Sequence, residues 1–161
     1  MARPNLLTVC SISRYMLQNR KWMQQLGYGA PILVFLVDIA GYGRYLKDPA
    51  SSKIMAAMRL FEFVANSPMC SDAYPVVWFG DSRLFRSKSE LSPAEDLFPG
   101  YMGGPDFEKA IESLTSKFRR LYRGYMKFCT RVSELGDDCL APGLFSFVDE
   151  VIMDEFLSVL M

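Results

Sequence analysis

The chain has 161 residues, 50% of them hydrophobic and 14% aromatic, with 18 basic and 18 acidic side chains and no histidine. That length predicts one domain, 1–161, able to bury a sizeable core. The missing histidine excludes Ser-His-Asp and Cys-His catalysis within the chain, and histidine-ligated zinc or iron sites.

Charge balances overall but is unevenly placed. Residues 1–47 carry six bases against Asp38 alone, whereas residues 137–161 carry six acids and no base. The four cysteines, Cys10, Cys70, Cys129 and Cys139, have no metal-type spacing. With no signal-peptide pattern, they predict reduced thiols and a cytoplasmic or nuclear location. The longest apolar run, Ala30–Val37, is too short to span a bilayer.

In chain order, Ile12, Tyr15, Met16, Trp22, Met23 and Leu26 predict a first helix that ends at Gly27. Ile32–Val37 is continuous, branched and apolar, the pattern of a strand buried on both faces. Asp48-Pro49 opens a second helix, with Ile54, Met55, Met58, Phe61 and Val64 on its apolar face and Pro68 beyond its end. Tyr74–Phe79 predicts another short buried strand.

Residues 80–104 predict a long connection that holds a short helix around 93–98, opened by the capping box Ser92-Pro93-Ala94-Glu95. From Phe107 to Leu135 apolar residues recur in steps of four and three: Phe107, Ile111, Leu114, Phe118, Leu121, Tyr125, Phe128, Val132, Leu135. That heptad seam predicts a helix of about 30 residues, roughly 45 Å long, closed by Gly136. A final acidic amphipathic helix is predicted over 144–161. The fold class read from these elements is mixed α+β. A small sheet flanked by helices occupies 1–104, and a helical part follows over 105–161.

Few motifs carry chemistry. Val77–Ser82 resembles the nucleophile turn of GDS-type esterases, which implies Ser82 as nucleophile and a histidine late in the chain. There is no histidine to complete it, so a histidine-free hydrolase at Ser82 is the remotest alternative. Asp149, Glu150, Asp154 and Glu155 lie on the amphipathic pattern of the last helix, and no calcium loop is present. Gly27-Tyr28-Gly29 and Gly41-Tyr42-Gly43 have neither the G-x-x-x-x-G-K-S/T nor the G-x-G-x-x-G spacing. No catalytic residue, metal site or cofactor is predicted.

On a continuous helix, Arg120, Arg123, Lys127 and Arg131 would share one side, with Lys117 at its edge. That ridge offers phosphate contacts to nucleic acid or an anionic membrane surface, or else is a solvated face. The seam offers a partner interface through Phe118, Tyr125 and Phe128, joined by Phe156 and Leu160 of the acidic helix, or else packs on the chain's own sheet.

In the order of its elements, the middle of the chain resembles the globular core of rhabdovirus matrix proteins: strand Ile32–Val37, helix Ala50–Ala65, aromatic segment Tyr74–Phe79. It lacks their lysine-rich arm and Pro-Pro-x-Tyr motif. The resemblance implies a small viral matrix-like or accessory protein, not an enzyme, that self-associates or binds a protein partner. A nucleic-acid or anionic-membrane binder is the alternative.

Overall fold

The computed structural model describes residues 32–41, 53–89, 100–134, 146–147 and 150. Among them are three strands and three α-helices, in the order β1 (Ile32–Asp38), α1 (Lys53–Ala65), β2 (Tyr74–Gly80), α2 (Ser82–Ser89), α3 (Phe107–Leu121) and β3 (Cys129–Val132). The mixed α+β class, with a small sheet and flanking helices, is what the chain forms. The predicted helices over 12–26 and 93–98 lie outside the described residues. So does the final acidic helix, save Ser146, Phe147 and Glu150, which are helical.

The sheet runs β1-β2-β3 and is parallel throughout. Ile32 pairs with Tyr74 and Asp38 with Gly80, while Val76 pairs with Cys129 and Phe79 with Val132. Parallel neighbours need long crossovers, which α1 supplies in the first link and α2 with α3 in the second. Pro75 sits in the central strand, where a missing N–H would normally be penalised. The ladder to β3 begins only at Val76, one residue beyond it.

Side chains alternate across the strands, so the apolar run of β2 feeds two layers. Val77 and Phe79 join Val37 against α1, α2 and α3, and Phe35 packs against that cluster. Phe118 of α3 is its hub: its ring lies 5.3 Å from Phe61, 5.9 Å from Phe79 and 6.4 Å from Phe35, centroid to centroid. Val76 and Trp78 face the other way, where Phe147 meets Trp78 edge-on at 5.8 Å. Cover thins toward β1, where Leu36 is half exposed.

The predicted 30-residue helix is not formed. Helix α3 stops at Leu121, 15 residues after it starts. Tyr122 turns to an extended conformation (φ −83°, ψ 123°). Its ring then stacks on Phe128 at 6.3 Å, and its hydroxyl accepts the Met126 N–H at 3.2 Å. A Cβ at Gly124 would overlap that ring, so the close approach requires glycine there. The second half of the seam is thus a turn followed by a strand. β2 needs a partner for the backbone groups on its far side, and Cys129–Val132 supplies it.

Helix α3 is capped by Asp106, whose Oδ1 accepts the Lys109 N–H at 3.1 Å. That amide bond, helped by the Lys109 side chain, holds the carboxyl below its ordinary 3.8. A depressed carboxyl contributes stability above its unfolded value, and the contribution is lost as pH falls through the folded one. Asp106→Asn keeps a capping oxygen but cannot titrate. The thermal midpoint of the wild type should therefore fall more steeply below pH 3.8 than that of the variant. Identical acid profiles would remove the carboxylate's role.

Candidate functional site

All three strands point the same way, so their carboxyl ends meet at one edge: Asp38 of β1, Gly80 of β2 and Val132 of β3. In open parallel α/β sheets ligands bind in the crevice beyond that edge. Among the described residues this edge is built by those just after each strand, 39–41, Asp81 and 133–134, together with α2.

After β1 the chain turns back on Asp38, whose Oδ1 accepts the Gly41 N–H at 2.9 Å. Its other oxygen lies 3.9 Å from Lys53 Nζ, at the start of α1. Any side chain at Gly41 would press on this pair, since a Cβ there lies 2.7 Å from Asp38 Oδ2. Lys88 of α2 reaches across to donate to the Ala40 carbonyl at 3.2 Å.

After β2, Asp81 adopts a left-handed conformation, φ 58°. Aspartate tolerates this better than most residues. The twist lets α2 start at once: the Phe85 N–H bonds the Asp81 carbonyl at 2.9 Å, and Phe85 is buried. The Ser82 N–H donates to the Ser133 carbonyl at 3.0 Å, while the Ser133 N–H donates to the Phe79 carbonyl at 2.8 Å. These two bonds lock the loop after β3 against the loop after β2. Arg83 and Glu134 pair across the same joint at 3.6 Å.

The edge thus carries three carboxylates, Asp38, Asp81 and Glu134, interleaved with Lys53, Arg83 and Lys88. Lys53 pairs with Asp38, Arg83 with Glu134, and Lys88 bonds Ala40. No cluster of three metal-ligating side chains occurs among the described residues.

The expected site residues fall elsewhere. Ser82 is at this edge but buried, with its amide committed to Ser133. The expected basic ridge is divided because the helix ends: Lys117 and Arg120 stay on α3, Arg123 and Lys127 are in the turn, and Arg131 is in β3. Arg123 pairs with Glu62, and Arg131 pairs with Glu150 while lying 4.6 Å over the Phe147 ring. Phe118 is fully buried in the chain's own core and Phe128 packs against it, so neither forms a free interface. Tyr125 is exposed and donates its hydroxyl to Asp72 at 2.6 Å. That bond, with the Asp72 charge, raises its pKa above 10.0. Phe156 and Leu160 lie outside the described residues. In the sequence Gly-Asp-Ser reads as an ordinary polar turn, and the structure places its Asp81 at the end of the central strand.

No family model matches the chain. It is similar to a guanine nucleotide-binding protein alpha-2 subunit of Kluyveromyces lactis, at 24% identity over 141 residues, 87% of this chain and 25% of that protein. A guanine nucleotide-binding protein subunit alpha of Cochliobolus heterostrophus is 28% identical over 142 residues, 87% of this chain and 40% of that protein. The alpha-9 subunit of Dictyostelium discoideum is 28% identical over 102 residues, 63% of this chain and 30% of that protein. The chain therefore spans between a quarter and two-fifths of these relatives.

These likenesses correct the reading of function. The relatives are alpha subunits and not rhabdovirus matrix proteins, so the order of elements shared with the latter reflects only a generic strand–helix–strand succession. The viral matrix-like and accessory roles fall with it. So does the reading of the chain as not an enzyme, since the matches are to nucleotide-binding subunits. The nucleic-acid or anionic-membrane alternative and the hydrolase at Ser82 find no support in the same matches. The relatives are named as subunits, a word that implies association with other proteins for them. No helix among the described residues is long and apolar enough to cross a membrane.

Proposed function

We propose that these residues form part of a guanine nucleotide-binding α/β domain of the alpha-subunit kind, a single unit over 1–161 that works with protein partners. The nucleotide crevice of this reading lies at the carboxyl ends of β1, β2 and β3. The observation that carries it is the joining of the three strand ends by α2, through the Ser82–Ser133 and Lys88–Ala40 bonds, at the edge where parallel sheets hold ligands. The likeness to guanine nucleotide-binding subunits over 87% of the chain supports the choice of ligand.

Guanine presents N–H donors that a carboxylate accepts well, because a charged acceptor forms the stronger bond. Asp81, at the end of the central strand, is the carboxylate assigned to that task. Phosphate-cradling loops of the G-x-x-x-x-G-K-S/T type have no match in these 161 residues. These residues supply the base-facing part of the site.

Fluorescence polarisation with a labelled GDP tests it. Saturable binding, displaced by GDP and GTP but not by ADP or ATP, is expected. Asp81→Asn keeps a residue that tolerates the left-handed backbone and removes only the charge. It should weaken binding by roughly tenfold or more, the loss of one charged contact at about 1.4 kcal/mol per decade. Equal displacement by ATP, or unchanged affinity in Asp81→Asn, would overturn the assignment.

A further inference from the structure

At the carboxyl edge each base among the described residues already has an acceptor. Lys53 and Arg83 stand against Asp38 and Glu134, and the Lys88 ammonium meets the carbonyl of the buried Ala40. The three carboxylates of the edge balance its three bases. Asp81 is the one carboxylate there with neither an ion pair nor a side-chain hydrogen bond among the described residues. It is half-buried, at the end of the central strand.

The backbone donors of the edge are engaged as well. The Gly41 N–H bonds Asp38 Oδ1, the Ser82 N–H bonds the Ser133 carbonyl, and the Ser133 N–H bonds the Phe79 carbonyl. A phosphate chain is strongly anionic at neutral pH. Exposed ion pairs open at small cost. Yet a base that turned to a phosphate would leave its own carboxylate, Asp38 or Glu134, uncompensated beside it. The attraction gained and the repulsion uncovered are of like size at such short range. A neutral ring bearing N–H donors meets no such opposition, and a charged acceptor bonds it strongly.

We propose that this crevice is a guanine-nucleoside site: it recognises the base, and the phosphates of GDP and GTP add no affinity. The inference rests on the guanine reading of the crevice and narrows its ligand from nucleotide to nucleoside. Asp81 accepts the N–H donors of the base, and the neutral surroundings leave binding indifferent to the number of phosphates.

Competition against a labelled GDP on the full chain tests this. Unlabelled guanosine, GMP, GDP and GTP should displace the label at half-maximal concentrations within about tenfold of one another. Raising the salt from about 50 mM to about 300 mM should leave that spacing unchanged, because no phosphate contact is there to be screened. Asp81→Asn should weaken guanosine and GDP by the same factor, roughly tenfold or more. GDP or GTP bound more than about tenfold tighter than guanosine would overturn the inference and leave the guanine reading standing. So would an Asp81→Asn chain that loses GDP but keeps guanosine at full affinity. Adenosine displacing the label as well as guanosine does, or no saturable binding of GDP by the wild type, would remove the guanine reading itself and this inference with it.

Discussion

Phe118→Ala is expected to destabilise the fold by about 3–5 kcal/mol, the usual cost of removing a buried phenylalanine ring. Phe118 is fully buried, and its ring touches three others drawn from three elements: Phe35 of β1, Phe61 of α1 and Phe79 of β2. Rigid strands on one side and α1 on the other leave little room to collapse into the space. A domain of this size is stable by roughly 5–15 kcal/mol, so the variant should lose a large share of that margin. Urea unfolding followed by tryptophan fluorescence measures it, since Trp78 lies in the central strand. Phe118→Leu should recover part of the loss. A cost under about 1 kcal/mol for the alanine variant would mean that α3 does not dock on the sheet through this ring.

Asn66→Ala is expected to cost about 2–3 kcal/mol, although the side chain is small and only partly buried. Its amide and carbonyl serve three backbone groups at the ends of two helices. Removing it leaves the Leu121 carbonyl and the Arg123 N–H without their partner, and each orphaned group costs about 1–3 kcal/mol where water is slow to replace the bond. The loss should be local as well as global. Hydrogen exchange at Arg123 should rise well before exchange in β2 does, because the turn after α3 depends on this one side chain. Asn66→Asp is the sharper control. It keeps an acceptor for the Arg123 N–H but turns a carboxylate toward two carbonyls, so it should destabilise at neutral pH and less so in acid. Indistinguishable exchange at Arg123 in wild type and Asn66→Ala would contradict the role given to this bridge.

Much of the fold was legible in the residues. Ile32–Val37 and Tyr74–Phe79 announce strands by their unbroken apolar runs, but only β2 is buried on both faces, and in β1 Val37 alone is buried while Leu36 is half exposed. α1 is legible for the complementary reason: Ile54, Met58, Phe61 and Val64 or Ala65 recur at helical spacing and all are buried. α2 was not legible. Its sequence, Ser82–Ser89, is polar apart from Leu84 and Phe85, so a single buried ring anchors it and periodicity has nothing to count. The candidate site was less legible still. Asp38, Asp81 and Glu134 are far apart in the chain, and no spacing rule links them. Only parallel pairing in register brings their strand ends to one edge.

The seam from Phe107 to Leu135 shows where local pattern and tertiary demand part company. Steps of four and three favour one long helix, yet the chain forms a shorter helix, a turn and a strand. By itself the sequence determined the composition of the core, the two apolar strands, the amphipathic face of α1, the start of the seam at Phe107 and the absence of histidine from these 161 residues. Tertiary structure alone decided that the seam breaks at Tyr122. A central strand with an unpaired side carries backbone N–H and C=O groups that must be bonded, and Cys129–Val132, with β-branched Thr130 and Val132, suits that strand better than a helix. The same break carries Arg123 to Asn66 and Ser133 into the loop junction at the carboxyl edge, two placements that depend on contacts between residues about 50 or more positions apart.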